Sequence, residues 1–222
     1  MFIFTDSSPS AIVVGGSLAG LMAAISLSQE GVRVTVLEKA SPDRESGGGL
    51  RVDGSSFVQS KTEKLLRNLA SDGKRGVQLW SAIEARLRKE IEKDPLIELS
   101  FDTRVMAVGQ SEEKAWVEIE NKERLAADFA VGADGHRSIV RKAIAPDHPD
   151  ADYAGFLVWI ASVKENELPR DVQKTLGEPG VQMLDGGGSG FLFGSILETK
   201  DPSASRRVGC TWYRQQPNAF AV

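Results

Sequence analysis

Ala11-Ile12-Val13-Val14-Gly15-Gly16-Ser17-Leu18-Ala19-Gly20-Leu21 joins an apolar run to a glycine turn and the start of a helical pattern. Ala11 to Val14 is a short apolar run rich in β-branched residues, the composition of a buried strand. The run ends in glycines, and Leu18, Met22 and Ile25 then recur at helical spacing, which predicts one helix face. Gly31 is the expected helix stop. Val32-Arg33-Val34-Thr35-Val36-Leu37 reads as the next strand, with Glu38 at its end. Strand, tight turn, helix and a second strand parallel to the first make a βαβ unit, so the expected class is α/β.

The turn carries chemistry. Dinucleotide folds use G-x-G-x-x-G there. The first glycine makes the turn, the second lets a pyrophosphate approach the backbone, and the third lets helix and strand touch. Gly15 and Gly20 hold the outer positions, Gly16 follows the first, and Ser17 replaces the middle glycine. Serine is small and can donate to phosphate. The N–H groups of Ser17, Leu18 and Ala19 would face an anion at the helix N-terminus. Glu38 is positioned to accept from adenosine ribose hydroxyls and would repel a 2′-phosphate, which favours FAD or NAD over NADP. A ligand-free glycine loop and a solvated strand-end glutamate are the plainer alternatives. The strand–turn–helix–strand context selects dinucleotide binding.

The rest of the composition narrows the class. The chain has 222 residues, 41% apolar and 26% charged, enough for one large domain or two small ones. Such a length buries roughly 70% of the unfolded surface. With 27 Lys plus Arg against 31 Asp plus Glu, the net charge is −4. No basic block is present, so a nucleic-acid partner is not expected. A lone cysteine, Cys210, excludes an internal disulfide framework, and two histidines, His136 and His148, make a histidine-built zinc site unexpected. Ala11–Leu27 is the most apolar stretch, but glycines and serines interrupt it. Met1–Ser10 holds Asp6 and no Lys or Arg. Neither a secretory leader nor a membrane span is expected, and the cytoplasm is the expected compartment.

Beyond Glu38, residues 40–54 read as a polar, glycine-rich turn. A helix is expected between Ser56 and Leu69 with Leu65, Leu66 and Leu69 inward, then a loop at Ser71–Lys74. A second helix is expected from Trp80 to Lys93, with Leu79, Ile83, Leu87 and Ile91 as its stripe. Asp94-Pro95 ends it. Leu96 to Val131 reads as antiparallel strands, with a hairpin turn at Asn121-Lys122. Ser138–Ile144 reads as a short helix. From Tyr153 the pattern becomes mostly strand: 153–163, 181–184, 191–198 and 206–213, with one helix at 171–176. A boundary near 146–152 follows, giving a dinucleotide-binding domain over 1–150, with part of a substrate-domain insertion, and an incomplete substrate domain over 151–222.

Gly132-Ala133-Asp134-Gly135-His136-Arg137-Ser138-Ile139-Val140-Arg141 is the second cluster. Asp134 can accept from a ribose or fix a turn that presents N–H groups to phosphate. Equally, it can cap the helix at Ser138.

Together with Val36-Leu37-Glu38-Lys39, these two glycine clusters resemble the FAD-dependent aromatic hydroxylases, the group A flavoprotein monooxygenases. The Gly-Gly-Ser loop, and Tyr153-Ala154-Gly155-Phe156 with Trp159, look most like the 2,6-dihydroxypyridine hydroxylase branch. The resemblance implies a glutathione-reductase-type FAD-binding Rossmann domain carrying a mostly antiparallel substrate-domain sheet. It implies FAD as cofactor, NAD(P)H as co-substrate, and transfer of one atom of molecular oxygen to a small electron-rich aromatic ring. It places Gly15, Gly16, Ser17, Leu18, Ala19, Gly20, Glu38, Lys39 and Asp134 at the cofactor, with the second cluster also meeting NAD(P)H. Gly47-Gly48-Gly49-Leu50-Arg51 resembles the family segment beside the flavin ring, where Arg51 could stabilise negative charge; an exposed loop arginine is the other reading.

The family's third motif, a Gly-Asp before a small-residue helix, is not found before Val222, and the Arg51–Trp80 region is short for the family. The expectation is therefore a C-terminally truncated form: a fragment, or an inactive module that binds an adenine dinucleotide. A homo-oligomer or a complementing C-terminal chain would be its partner. A non-oxygenating FAD oxidoreductase would share the glycine loop and Glu38. No catalytic residue is assigned. Trp159, Trp212 and Tyr213 could stack on a substrate, though core packing is commoner for strand aromatics. His136 reads as a surface turn residue and Cys210 as a buried thiol.

Overall fold

The structure, a computed structural model, describes residues 8–43, 48–52, 60–71, 76–185, 188, 190–197 and 205–216. In chain order the elements are β1 (Ser10–Val14), α1 (Leu18–Gln29), β2 (Arg33–Leu37), β3 (Gly49–Val52), α2 (Lys61–Ser71), β4 (Gly76–Leu79) and α3 (Trp80–Ile91). Then follow β5 (Ile97–Ser100), β6 (Val105–Gln110), β7 (Ala115–Ile119), β8 (Arg124–Ala127), β9 (Phe129–Gly132) and α4 (Ile139–Ile144). The last are β10 (Phe156–Lys164), α5 (Arg170–Gln173), β11 (Gly180–Asp185), β12 (Gly190–Leu197) and β13 (Arg207–Gln215).

The chain divides into two compact units, residues 1–45, 57–70 and 84–151 in the first and 46–56, 71–83 and 152–222 in the second. In the first, a parallel sheet runs in the order β5-β2-β1-β9. The expected pairing of β1 with β2 is present, Val13 opposite Val36 and Val14 opposite Leu37. Ala11 to Val14 are all buried, as a central parallel strand covered on both faces requires. Ile12, Val14 and Leu37 join Val105, Val117, Ala127 and Val140 in one apolar cluster. The buried face of α1 is Gly20, Leu21, Ala24, Ile25 and Ser28, one step round from the expected stripe; Leu18 and Met22 are half-buried. On α3, Ile83, Leu87 and Ile91 are buried as expected, while Leu79 belongs to β4.

The Leu96–Val131 region corrects the antiparallel expectation. β5 and β9 are parallel members of the main sheet, and only β6-β7-β8 forms an antiparallel set. Period-two alternation reports a half-buried strand but not its direction. The turn between β7 and β8 falls at Lys122, whose φ is 68°. The first expected helix begins at Lys61, and Ser56–Gln59 and Asp72–Lys74 lie outside the described residues. The polar stretch after Glu38 holds an unforeseen strand, β3, paired antiparallel with β4.

The second unit carries the antiparallel sheet β10-β13-β12-β11 together with the β3-β4 pair. Each sequence-read strand is present within a few residues of its expected bounds; Glu198 lies outside the described residues. Trp159 and Trp212 face each other across β10 and β13, ring centroids 5.1 Å apart. Core packing is not their fate: Trp159, Trp212 and Tyr213 are all exposed, and Cys210 is half-buried rather than buried. Among the described residues, no helix is long and apolar enough to cross a membrane.

Candidate functional site

Two loops distant in sequence meet at one edge of the parallel sheet. Val14 pairs with Leu37 on one side and Gly132 on the other. The turn after β1, Glu38 after β2 and Ala133-Asp134 after β9 therefore all emerge at the carboxyl ends of adjacent strands. α1 carries the chain to β2 on one side of β1, while β9 lies on the other. Open α/β sheets bind ligands at such a switch point.

Glycine is required there by contact. Gly15 has φ +103°, and a Cβ on it would strike the Ala133 carbonyl. A Cβ on Gly20 would overlap the Gly15 carbonyl oxygen and lie 3.3 Å from Ala133 Cβ. One on Gly16 would come within 2.8 Å of Glu38 Cβ. Hydrogen bonds extend the sheet into the loops, Gly15 N–H to Leu37 O and Ala133 N–H to Val14 O, each 2.8 Å.

The result is a bare-backbone cradle at the start of α1. Ser17 is the N-cap, extended at φ −84°, ψ −175°, and its hydroxyl makes no capping bond. Leu18 and Ala19 open the helix, and its first turn holds no acidic side chain. The first N–H groups of a helix lack intrahelical acceptors, and the helix dipole leaves this end positive. This donor set fits the diphosphate of a dinucleotide.

Glu38 is 3% exposed, although it ends a strand. Its Oε2 accepts from Gly16 N–H and its Oε1 from Ala40 N–H, both at 2.8 Å. It is thus an internal brace for the glycine turn, which the sequence reading did not anticipate. Lys39 beside it is exposed.

Asp134 is half-buried and caps α4. Its Oδ1 accepts from Ser138 Oγ at 2.5 Å, and its Oδ2 from the N–H groups of Ile139 at 2.6 Å and Val140 at 3.3 Å. Ser138 Oγ in turn accepts from Arg141 N–H at 2.8 Å. A serine directly before an apolar helical run was the sequence signal for this cap. His136 is exposed, and its carbonyl accepts from the Arg141 guanidinium. Arg51 is exposed on β3 in the second unit. Among the described residues, no cluster of His, Cys, Asp and Glu could hold a metal ion.

Residues 9–74 and 77–175 match the family described as FAD binding domain. The chain belongs to this FAD-binding family. Curated relatives include 3-hydroxybenzoate 6-hydroxylase of Klebsiella oxytoca, 24% identical over 73% of this chain and 49% of the relative. Another is 2,6-dihydroxypyridine 3-monooxygenase of Paenarthrobacter nicotinovorans, 27% identical over 90% of this chain and 54% of the relative. The chain spans about half the length of the curated relatives it matches. Among solved structures, 2,6-dihydroxypyridine-3-hydroxylase from Arthrobacter nicotinovorans superposes with a TM-score of 0.70 at 21% identity, over 95% of this chain and 57% of that one. CtdE in complex with FAD does so at 0.71 and 18% identity, over 97% and 61%. These likenesses establish a shared FAD-binding fold.

Proposed function

We propose that this chain belongs to an FAD- and NAD(P)H-dependent monooxygenase that hydroxylates a small electron-rich aromatic or heteroaromatic ring. The meeting of the Gly15–Gly20 turn, Glu38 and Ala133-Asp134 at one sheet edge carries the reading. The names of the relatives, a hydroxybenzoate hydroxylase and a dihydroxypyridine monooxygenase, support the substrate class.

In this reading, residues 1–150 hold the dinucleotide and 151–222 contribute to the substrate side. Gly15, Gly16 and Gly20 keep side chains away from the diphosphate, which accepts from the N–H groups of Ser17, Leu18 and Ala19. Glu38 holds the loop in its receiving conformation through Gly16 N–H and Ala40 N–H, beside the place where the ribose would lie. Lys39 adds an exposed cation beside it. Asp134 fixes the adjoining turn from the β9 side. When bound, FAD would supply the redox chemistry that couples oxidation of NAD(P)H to the transfer of one oxygen atom of O2 to the ring, the other leaving as water. The protein's own part is to orient the groups and exclude water.

The test supplies isotope-labelled oxygen gas, FAD, NADH or NADPH, and a phenol or hydroxypyridine. Label in a new ring hydroxyl supports the reading. Consumption of NAD(P)H with no labelled product would point to a non-oxygenating FAD oxidoreductase. FAD binding without turnover would point to a binding module.

A further inference from the structure

Arg86 and Arg88 stand two residues apart on α3 and hold different parts of the first unit. Arg86 donates through Nε to Leu69 O and through Nη2 to Ala70 O at 2.8 Å, which satisfies carbonyls of the last turn of α2. Arg88 donates through Nη2 to Glu84 Oε1 at 2.8 Å, one helical turn back. Its Nη1 donates to Pro42 O at 2.7 Å, across 46 residues of sequence. The guanidinium also lies over the Phe101 ring, 4.6 Å from its centroid. Glu84 is 4% exposed. A buried carboxylate therefore anchors one tip of the fork, and the other tip reaches the loop after β2.

That loop begins at Glu38, and its main chain is fastened at alternate residues. Glu38 N–H donates to Ser100 O at 2.8 Å, and Glu38 O accepts from Thr103 N–H at 2.9 Å. Ala40 O accepts from Asp102 N–H at 3.2 Å, while Ala40 N–H donates to Glu38 Oε1. Pro42 has no N–H, so its carbonyl is the main-chain group by which it can be held, and Arg88 takes it. Lys39 and Ser41, between the fastened residues, are exposed.

We propose that Arg88 is a positioning residue for the adenosine end of the dinucleotide, acting through Pro42 and Ala40 on the Glu38 carboxylate. A guanidinium suits this task, because it is always charged and its planar fork makes two directed bonds at once. Released at Pro42, the loop would no longer keep Ala40 N–H on Glu38 Oε1, and Lys39 would be free to turn toward the ribose. A fixed carboxylate at the ribose excludes a 2′-phosphate. A loosened carboxylate beside a released lysine would tolerate one. The assignment rests on the dinucleotide reading above and adds to it a residue that does not itself touch the nucleotide.

The test titrates ADP-ribose, and its analogue phosphorylated on the adenosine 2′-hydroxyl, into the purified chain and follows heat. The parent should prefer ADP-ribose by at least about tenfold. Removing Arg88 alone would strand the buried Glu84 charge. The main variant is therefore the double Glu84→Gln/Arg88→Met, which removes both charges and keeps the bulk. It should bind ADP-ribose several-fold more weakly and lose most of the preference. Arg88→Lys still pairs with Glu84 but lacks the fork, so it should lose part of the preference, and it carries the test if the double variant does not fold. Arg86→Ala is the stability control: its unfolding midpoint should fall while the preference stays at the parent's value. Parental preference and affinity in the Arg88 variants overturns the assignment, as does an equal loss of preference in Arg86→Ala. No binding of ADP-ribose by the parent would instead overturn the dinucleotide reading, and the positioning role with it.

Discussion

The Gly16 N–H donates to the Glu38 carboxylate at 2.8 Å across 22 residues of sequence. This bond ties the first turn of the sheet edge to the end of the neighbouring strand before any ligand arrives. It makes Glu38 part of the architecture of the phosphate-binding turn. Glu38→Ala would leave two backbone N–H groups, on Gly16 and Ala40, without their acceptor. Each such loss costs about 1–3 kcal/mol when the group stays buried. The ligand-free protein should therefore lose stability in Glu38→Ala, with a smaller loss in Glu38→Gln, which keeps one acceptor oxygen. Urea midpoints without cofactor check this. An unchanged midpoint in Glu38→Ala would refute the brace.

Asp134 and Ser138 should behave as one capping system. Asp134→Ala removes the acceptor of three donors, and Ser138→Ala removes both a donor to Asp134 and the acceptor of Arg141 N–H. Loss of an N-cap costs about 0.5–2 kcal/mol. Because the two residues share a bond, the double variant should lose less than the sum of the singles. A double-mutant cycle by chemical unfolding reads the coupling directly, and strict additivity would contradict it.

Acid should weaken the first unit through Asp128. Lys114 donates to its Oδ1 and the Ser10 hydroxyl and N–H donate to its Oδ2, each at 2.7 Å. The side-chain bond from Lys114, then that from Ser10, holds the carboxyl well below the usual carboxylate range. A depressed folded-state pKa means that the contribution is present above the unfolded value, near 3.9, and is lost as pH falls through the folded value. Wild type should lose more stability than Asp128→Asn between pH 5 and pH 2. Parallel acid titrations of the urea midpoint test the sign, and curves that stay parallel would argue against it.

The sequence revealed the βαβ unit because its signals are local. A β-branched run, a glycine turn and an acid at the next strand end need no knowledge of distant partners. What lay hidden depends on neighbours far along the chain. The alternation in Ile97–Ser100 is the same in a parallel or an antiparallel strand, so its place beside β2 was not legible. Nor was the strand Gly49–Val52, whose partner Gly76–Leu79 lies beyond a helix. Glu38 was located correctly, but its two internal hydrogen bonds depend on how the glycine turn folds back on it. Trp159 and Trp212 were placed on strands correctly, yet which face is covered depends on what packs there, so their exposure could not be read from spacing.

The glycine turn's role as a dinucleotide cradle can be measured by titrating FAD into the purified chain and following flavin fluorescence or heat. Gly20→Leu is the decisive variant, since even a Cβ there would overlap the Gly15 carbonyl oxygen. Gly177→Ala is the matched control, because nothing lies within 4 Å of a Cβ at that position. The predicted result is saturable binding by the wild type and the Gly177→Ala control, abolished in Gly20→Leu. The contradicting result is no saturation by the wild type at millimolar FAD, or equal binding by Gly20→Leu.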